Sequence, residues 1–119
     1  MTTRDLTAAN FLETINGNEI VLVYVWSTFC PACLEFTPTY EDSSTKHPDI
    51  VHGKVDFEIE KELVTAAKVR FMPVLMAFKN GALVFKQGGI ARPAVLEELI
   101  RQLRVYDIDS AAVGGGTHA

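Results

Sequence analysis

The stretch that most constrains this chain is Val21-Leu22-Val23-Tyr24-Val25, which runs straight into Trp26-Ser27-Thr28-Phe29-Cys30-Pro31-Ala32-Cys33. An apolar, β-branched run without polar alternation suits a central strand covered on both faces. The chain must therefore supply further strands beside it and helices above and below. The only two cysteines stand two residues apart just beyond that strand, where a potentially helical segment begins. At this spacing on the first turn of a helix, two β-carbons share one face about 5–6 Å apart. A small shift at the helix end brings them to the about 3.5–4.5 Å that a disulfide requires. The stretch reads as a reversible dithiol.

With 119 residues, 48% of them hydrophobic, the chain is expected to form one core-bearing domain over residues 1–106. Residues 107–119 lose periodicity and include Gly114-Gly115-Gly116, as a flexible tail would. A charged fraction of 22%, a net charge of −4 and no run of like charges point away from a nucleic-acid surface. Arg4, Asp5, Glu13 and Glu19 interrupt the first twenty residues, unlike a signal-peptide core. No apolar stretch approaches the about 20 residues of a membrane span. A soluble, cytoplasmic, monomeric protein is expected. In that compartment thiols stay reduced, so a lone Cys-x-x-Cys makes a poor structural staple.

Thr7 is placed to cap a helix over Ala8–Ile15, which Asn16-Gly17-Asn18 would stop. The strand Ile20–Val25 follows. Pro31 suits the first turn of the next helix, where its missing N–H costs nothing. That helix is expected to run to about Lys46 with Leu34, Phe36 and Tyr40 partly buried, and Pro38 inside it should bend it. Ile50–Phe57 reads as a strand and Glu60–Lys68 as a helix with Leu63, Val64 and Ala67 inward. Val74–Phe78 and Ala82–Lys86 flank Lys79-Asn80-Gly81, and Asn-Gly between two apolar runs signals a hairpin. A last helix begins near Pro93 and buries Val95, Leu96, Leu99, Ile100 and Leu103. The order β-α-β-α-β-α-β-β-α predicts an α/β fold, a mixed central sheet with helices on both faces.

This layout and its punctuation resemble thioredoxin from about Thr7 to Leu103. The resemblance rests on Trp26 four residues before Cys30, the CPAC motif, Pro38 five residues after Cys33, Lys54-Val55-Asp56, Met72-Pro73, Phe78-Lys79-Asn80-Gly81 and Gly89. It implies the thioredoxin fold, a cis Met72-Pro73 bond beside the dithiol, and protein-disulfide reductase activity by dithiol–disulfide exchange. Cys30 would be the nucleophile, its pKa lowered from about 8.5 by the helix N-terminus, and Cys33 the buried resolving thiol. Trp26, Phe29, Pro31, Met72, Pro73 and Gly89 would form the substrate-binding rim, although Trp26 serves equally well as a core aromatic. Gly88 is most simply a strand end. The resemblance implies no bound cofactor. Electrons would come from an NADPH-dependent flavoprotein thioredoxin reductase, since the chain has no nucleotide-binding Gly-rich loop of its own. Disulfide-containing proteins would be the substrates.

Competing readings are a glutaredoxin-like protein, a more oxidising disulfide oxidase or isomerase, and a binding module of this fold with secondary redox activity. A zinc site would need His47, His52 or His118, none of them at finger-like spacing from the cysteines.

Three departures from the family pattern stand out. The strand position that usually carries a buried acid near the resolving cysteine holds Tyr24, so Lys54 lacks its usual partner. A phenol with a reference pKa of about 10 is no base at neutral pH, and Cys33 is expected to deprotonate more slowly, to water or another carboxylate. Pro31-Ala32 replaces the usual Gly-Pro and predicts a less reducing pair. Phe29 replaces a second Trp, and Val74 replaces the Thr that commonly follows the cis-proline, which leaves an apolar rim with fewer polar handles.

Overall fold

A computed structural model of the chain describes residues 3–89 and 91–106. The elements follow the predicted order: β1 (Thr3–Asp5), α1 (Phe11–Asn16), β2 (Ile20–Trp26), α2 (Pro31–Lys46), β3 (Val51–Asp56), α3 (Lys61–Ala66), β4 (Val74–Lys79), β5 (Ala82–Gly88) and α4 (Pro93–Val105). The expected tail falls outside the described residues.

The strands form one sheet in the order β1-β3-β2-β4-β5. β3 pairs parallel with β1 and β2, whereas β4 pairs antiparallel with β2 and β5. This is the mixed sheet expected from helical crossovers followed by a hairpin. Asn80 and Gly81 both have positive φ, 51° and 86°, as a two-residue turn matching the strand twist requires.

β2 is buried on both sides, and its alternation sorts the core into two layers. Ile20, Leu22 and Tyr24 face a cluster with Cys33, Phe36 and Tyr40 of α2 and Leu96, Ile100 and Leu103 of α4. Val21, Val23 and Val25 face the other cluster, with Ile15 of α1 and Val64 of α3. Each such side chain contributes about 1.5–3 kcal/mol by leaving water.

Four local expectations need correction. The first helix starts at Phe11 and not at Ala8, because Asn10 holds a separate turn: its Oδ1 accepts from the Thr7 N–H at 2.8 Å and its Nδ2 donates to the Asp5 carbonyl. α3 is shorter than Glu60–Lys68. Lys68 adopts φ 58°, and the Val69 and Lys68 amides fold back onto the Val64 and Thr65 carbonyls, the double bond pattern that ends a helix with a left-handed residue. Leu34 is 54% exposed, since the buried stripe of α2 runs through Cys33, Phe36 and Tyr40, which are fully buried. Val95 is likewise 56% exposed beside the inward Leu96–Ile100–Leu103 stripe. Pro38 lies inside α2, which continues through it to Lys46. No described helix is long and apolar enough to cross a membrane.

Candidate active site

The sheet places several chain ends at one edge. Trp26 ends β2, and its carbonyl accepts from the Phe57 N–H at 2.8 Å where β3 has just ended. Val25 lies opposite Val74, and Val74 opposite Gly88. Pro73 and Gly89 therefore meet one residue beyond the sheet, where the Gly89 N–H donates to the Pro73 carbonyl at 2.9 Å. The Met72-Pro73 bond is cis, as expected.

Between Trp26 and α2 the chain turns through Ser27, Thr28 and Phe29. Ser27 is fully buried. Its hydroxyl accepts from the Phe29 N–H at 3.0 Å and donates to Glu58 Oε2 at 3.2 Å, and its carbonyl accepts from the Cys30 N–H at 3.2 Å. The turn delivers Cys30 as N-cap of α2 in an extended conformation, with Pro31 at the first helical position.

Cys30 and Cys33 are joined as a disulfide with their Cα atoms 5.2 Å apart. The Cys33 N–H faces Cys30 Sγ at 3.1 Å. A sulfur at an N-cap lies at the positive end of the helix, an environment that favours an anion. The two cysteines differ in access: Cys33 is fully buried, whereas Cys30 is half-buried. Beneath them, the Tyr24 hydroxyl donates to the Cys33 carbonyl at 2.6 Å, and the Thr37 hydroxyl donates to the same oxygen at 3.0 Å. Burial raises the Tyr24 phenol above its ordinary value of 10.0; the Thr37 hydroxyl opposes this and the charge of Glu41 adds to it.

The remaining rim residues vary in exposure. Phe29 is 81% exposed and Pro31 is exposed, whereas Trp26 and Met72 are half-buried against the core cluster that contains Cys33. Pro73 is buried. Gly89 has φ 99°, and a β-carbon there would meet nothing within 4 Å, so backbone conformation and not crowding favours glycine. At Gly88 the reverse holds, because a β-carbon would run into the Phe71 ring. Phe71, itself 61% exposed, extends the apolar rim. Lys54 turns its ammonium to the Trp26 ring, 4.6 Å from the centroid. The histidines considered as zinc ligands have other partners. His52 is buried against Ser43 and the Ile50 carbonyl, and His47 contacts Glu97 and Arg104. His118 lies outside the described residues.

Three contributors escaped the sequence reading. Ser27 carried a readable signal, a hydroxyl two residues before Phe29, which is the spacing of a local side-chain turn. Thr37 sits one turn after Cys33, where threonine bonds back to the helix. Glu58 had no signal, because its contact with Ser27 depends on how β2 and β3 end side by side.

The thioredoxin family model matches residues 2–102. A Streptomyces coelicolor protein assigned as its thioredoxin 2 is 39% identical over 90% of this chain and 80% of its own length. Thioredoxin of Coprinus comatus is 31% identical over 77% of this chain and 88% of its own. The solved structure of Plasmodium falciparum thioredoxin superposes with a TM-score of 0.77 at 30% identity, covering 84% of this chain and 98% of that one. A close cysteine pair at the start of α2, in this fold and with these relatives, makes the chain a member of the thioredoxin family of thiol–disulfide oxidoreductases.

Proposed function

We propose that the protein reduces disulfides in cytoplasmic proteins, with Cys30 as nucleophile and Cys33 as resolving thiol. The observation that carries this is the unequal access of the two sulfurs: Cys30 is half-buried at the N-cap, and Cys33 is sealed in the core. A bulky substrate disulfide reaches the first and not the second.

In the reduced protein the Cys30 thiolate attacks one sulfur of the substrate disulfide. That bond breaks, and the first substrate sulfur leaves as a thiolate that takes a proton from water. Cys33 gives its proton to solvent and attacks Cys30 Sγ, expelling the second substrate sulfur. Two electrons and, through water, two protons pass to the substrate, and the Cys30–Cys33 disulfide remains. Trp26, Phe29, Pro31, Met72, Pro73 and Gly89 form the docking rim, with Gly89 admitting a substrate backbone on its open side. An NADPH-dependent flavoprotein thioredoxin reductase regenerates the dithiol.

Insulin reduction with NADPH and thioredoxin reductase, with dithiothreitol as a parallel donor, tests this reading. Turnover with both donors is expected. Activity with dithiothreitol alone would preserve the chemistry and remove the reductase as electron source. Cys33→Ser should accumulate covalent Cys30 adducts, and a variant that forms none with any disulfide protein would overturn the assignment of roles.

A second reading, a more oxidising oxidoreductase, is favoured by Pro31 directly after the first cysteine. The pair is expected to be less reducing than the about −270 mV of thioredoxin. A glutathione titration that gives a potential at or below that value would remove this reading.

A further inference from the structure

The backbone of Cys33 is held at both ends. Its N–H is shared between Cys30 Sγ at 3.1 Å and the Cys30 carbonyl at 3.0 Å, and its carbonyl accepts from Tyr24 at 2.6 Å and from Thr37 at 3.0 Å. The two hydroxyl oxygens are themselves 3.0 Å apart. Each hydroxyl owns one hydrogen. While Tyr24 donates to Cys33, the hydrogen of Thr37 is shared between the Cys33 carbonyl and the Tyr24 oxygen. The Thr37 contact is local, one helical turn away. The Tyr24 contact crosses from the central strand, which is paired on both sides with β3 and β4. It ties the first turn of α2 to the most constrained element of the fold.

We propose that Tyr24 and Thr37 are positioning residues for Cys30: by pinning the Cys33 carbonyl to β2 they keep the Cys33 N–H on the Cys30 sulfur and so set how readily that sulfur carries negative charge. The proposal rests on Cys30 being the attacking thiol. It gives Tyr24 a purpose in the strand position where the family pattern has an acid. A hydroxyl donor placed there holds the backbone, and it does not change charge while a thiol titrates. Burial keeps the phenol protonated throughout that range. The charged groups around it do not compete for the contact. Glu41, further along α2, is exposed, and Lys54, opposite Tyr24 on β3, is turned to the Trp26 ring.

Tyr24→Phe isolates the hydroxyl. The ring keeps its contacts with Phe36 and Tyr40, whose centroids each lie 5.0 Å away. The test uses the reduced protein without any substrate: thiolate absorbance against pH, and iodoacetamide alkylation of Cys30 at neutral pH. Tyr24→Phe and Thr37→Val are each expected to raise the titration midpoint and slow neutral alkylation by about threefold to tenfold, the value of one net hydrogen bond. Thr37→Ser, which retains the hydroxyl, should alkylate like the unmodified protein. Alkylation well above the midpoint should be no slower in any variant, because there the thiolate is fully formed and a thiolate of higher pKa is the stronger nucleophile. A Tyr24→Phe, Thr37→Val double variant with native circular dichroism and unmodified titration and alkylation would overturn the proposal. So would alkylation slowed equally at all pH values, which reports access and not charge. Failure of insulin reduction in the unmodified protein would sink the reductase reading and leave this titration still decisive.

Discussion

Lys54 extends from β3 so that its ammonium lies 4.6 Å from the centre of the Trp26 ring. In the register of the sheet Lys54 is opposite Tyr24, so a charge that finds no acid there has turned to an aromatic face two residues along. A partly exposed pair of this kind is worth about 0.5–1 kcal/mol. Lys54→Met should lower stability by no more than about that amount and change the fluorescence of Trp26, the only tryptophan in the chain. Urea unfolding followed by that fluorescence gives both answers. A loss several times larger would mean that Lys54 has an ionic partner in solution.

Ser27 offers a sharper prediction. Its buried hydroxyl satisfies the Phe29 N–H and reaches Glu58. Ser27→Ala leaves that amide without its acceptor in the turn that delivers Cys30, at a cost of about 1–3 kcal/mol. The urea midpoint should fall accordingly, and insulin reduction driven by dithiothreitol should slow because Cys30 is less firmly placed. Unchanged stability and rate would show that the turn is held by Cys30 and α2 alone.

The order of elements and the dithiol were legible because they rest on local signals: unbroken apolar runs, Asn80-Gly81, Pro31 and the cysteine spacing. What stayed hidden depends on contacts between elements. Leu34 and Val95 have the right chemistry for a helix interior, yet which stripe turns inward is decided by the facing sheet. Lys68 carries no stop signal, although it adopts the left-handed conformation that ends α3. Tyr24 could be dismissed as a base from its chemistry alone. Its bond to the Cys33 carbonyl could not be foreseen, since that depends on how closely α2 packs on β2. The same packing decides what a Tyr24→Asp variant, which would restore the family's acid, could show. Tyr24 is fully buried in the α2–α4 core layer, so that exchange removes a large ring at a cost of about 3–5 kcal/mol before any effect on proton transfer can be read.

Lys79 is a buried cation at the other end of the sheet. Its side chain is 5% exposed, and its ammonium donates to the Leu103 carbonyl and, at 3.3 Å, to that of Arg104, with Glu19 3.6 Å away. These carbonyls belong to the last turn of α4, where a positive charge is also favoured by the negative end of the helix dipole. Lys79→Met keeps most of the apolar stem and deletes the donor. A loss of about 1–3 kcal/mol is expected, together with faster amide exchange in the last turn of α4. Exchange that accelerates uniformly along the helix would instead point to lost core packing.

His52 should make stability depend on pH below neutrality. The ring is fully buried, Nδ1 lies 2.9 Å from the Ile50 carbonyl and Nε2 2.9 Å from the Ser43 hydroxyl. A carbonyl can only accept, so Nδ1 carries the hydrogen, and in the neutral imidazole Nε2 then accepts from the Ser43 hydroxyl. Burial lowers the pKa from its ordinary 6.5. The Ile50 carbonyl opposes this, the charge of His47 adds to it, and Asp49 and Glu97 oppose it. The unfolded chain therefore binds this proton at higher pH than the folded one, and stability rises with pH where the two differ. The contribution is complete above about pH 6.5 and is lost as pH falls from there through the folded value. Urea unfolding between pH 8 and pH 5, compared with His52→Gln, measures it. The unmodified protein should lose stability more steeply below about pH 6.5 than the variant. Parallel curves would show that the imidazole is protonated equally in both states and that the buried, neutral assignment is wrong.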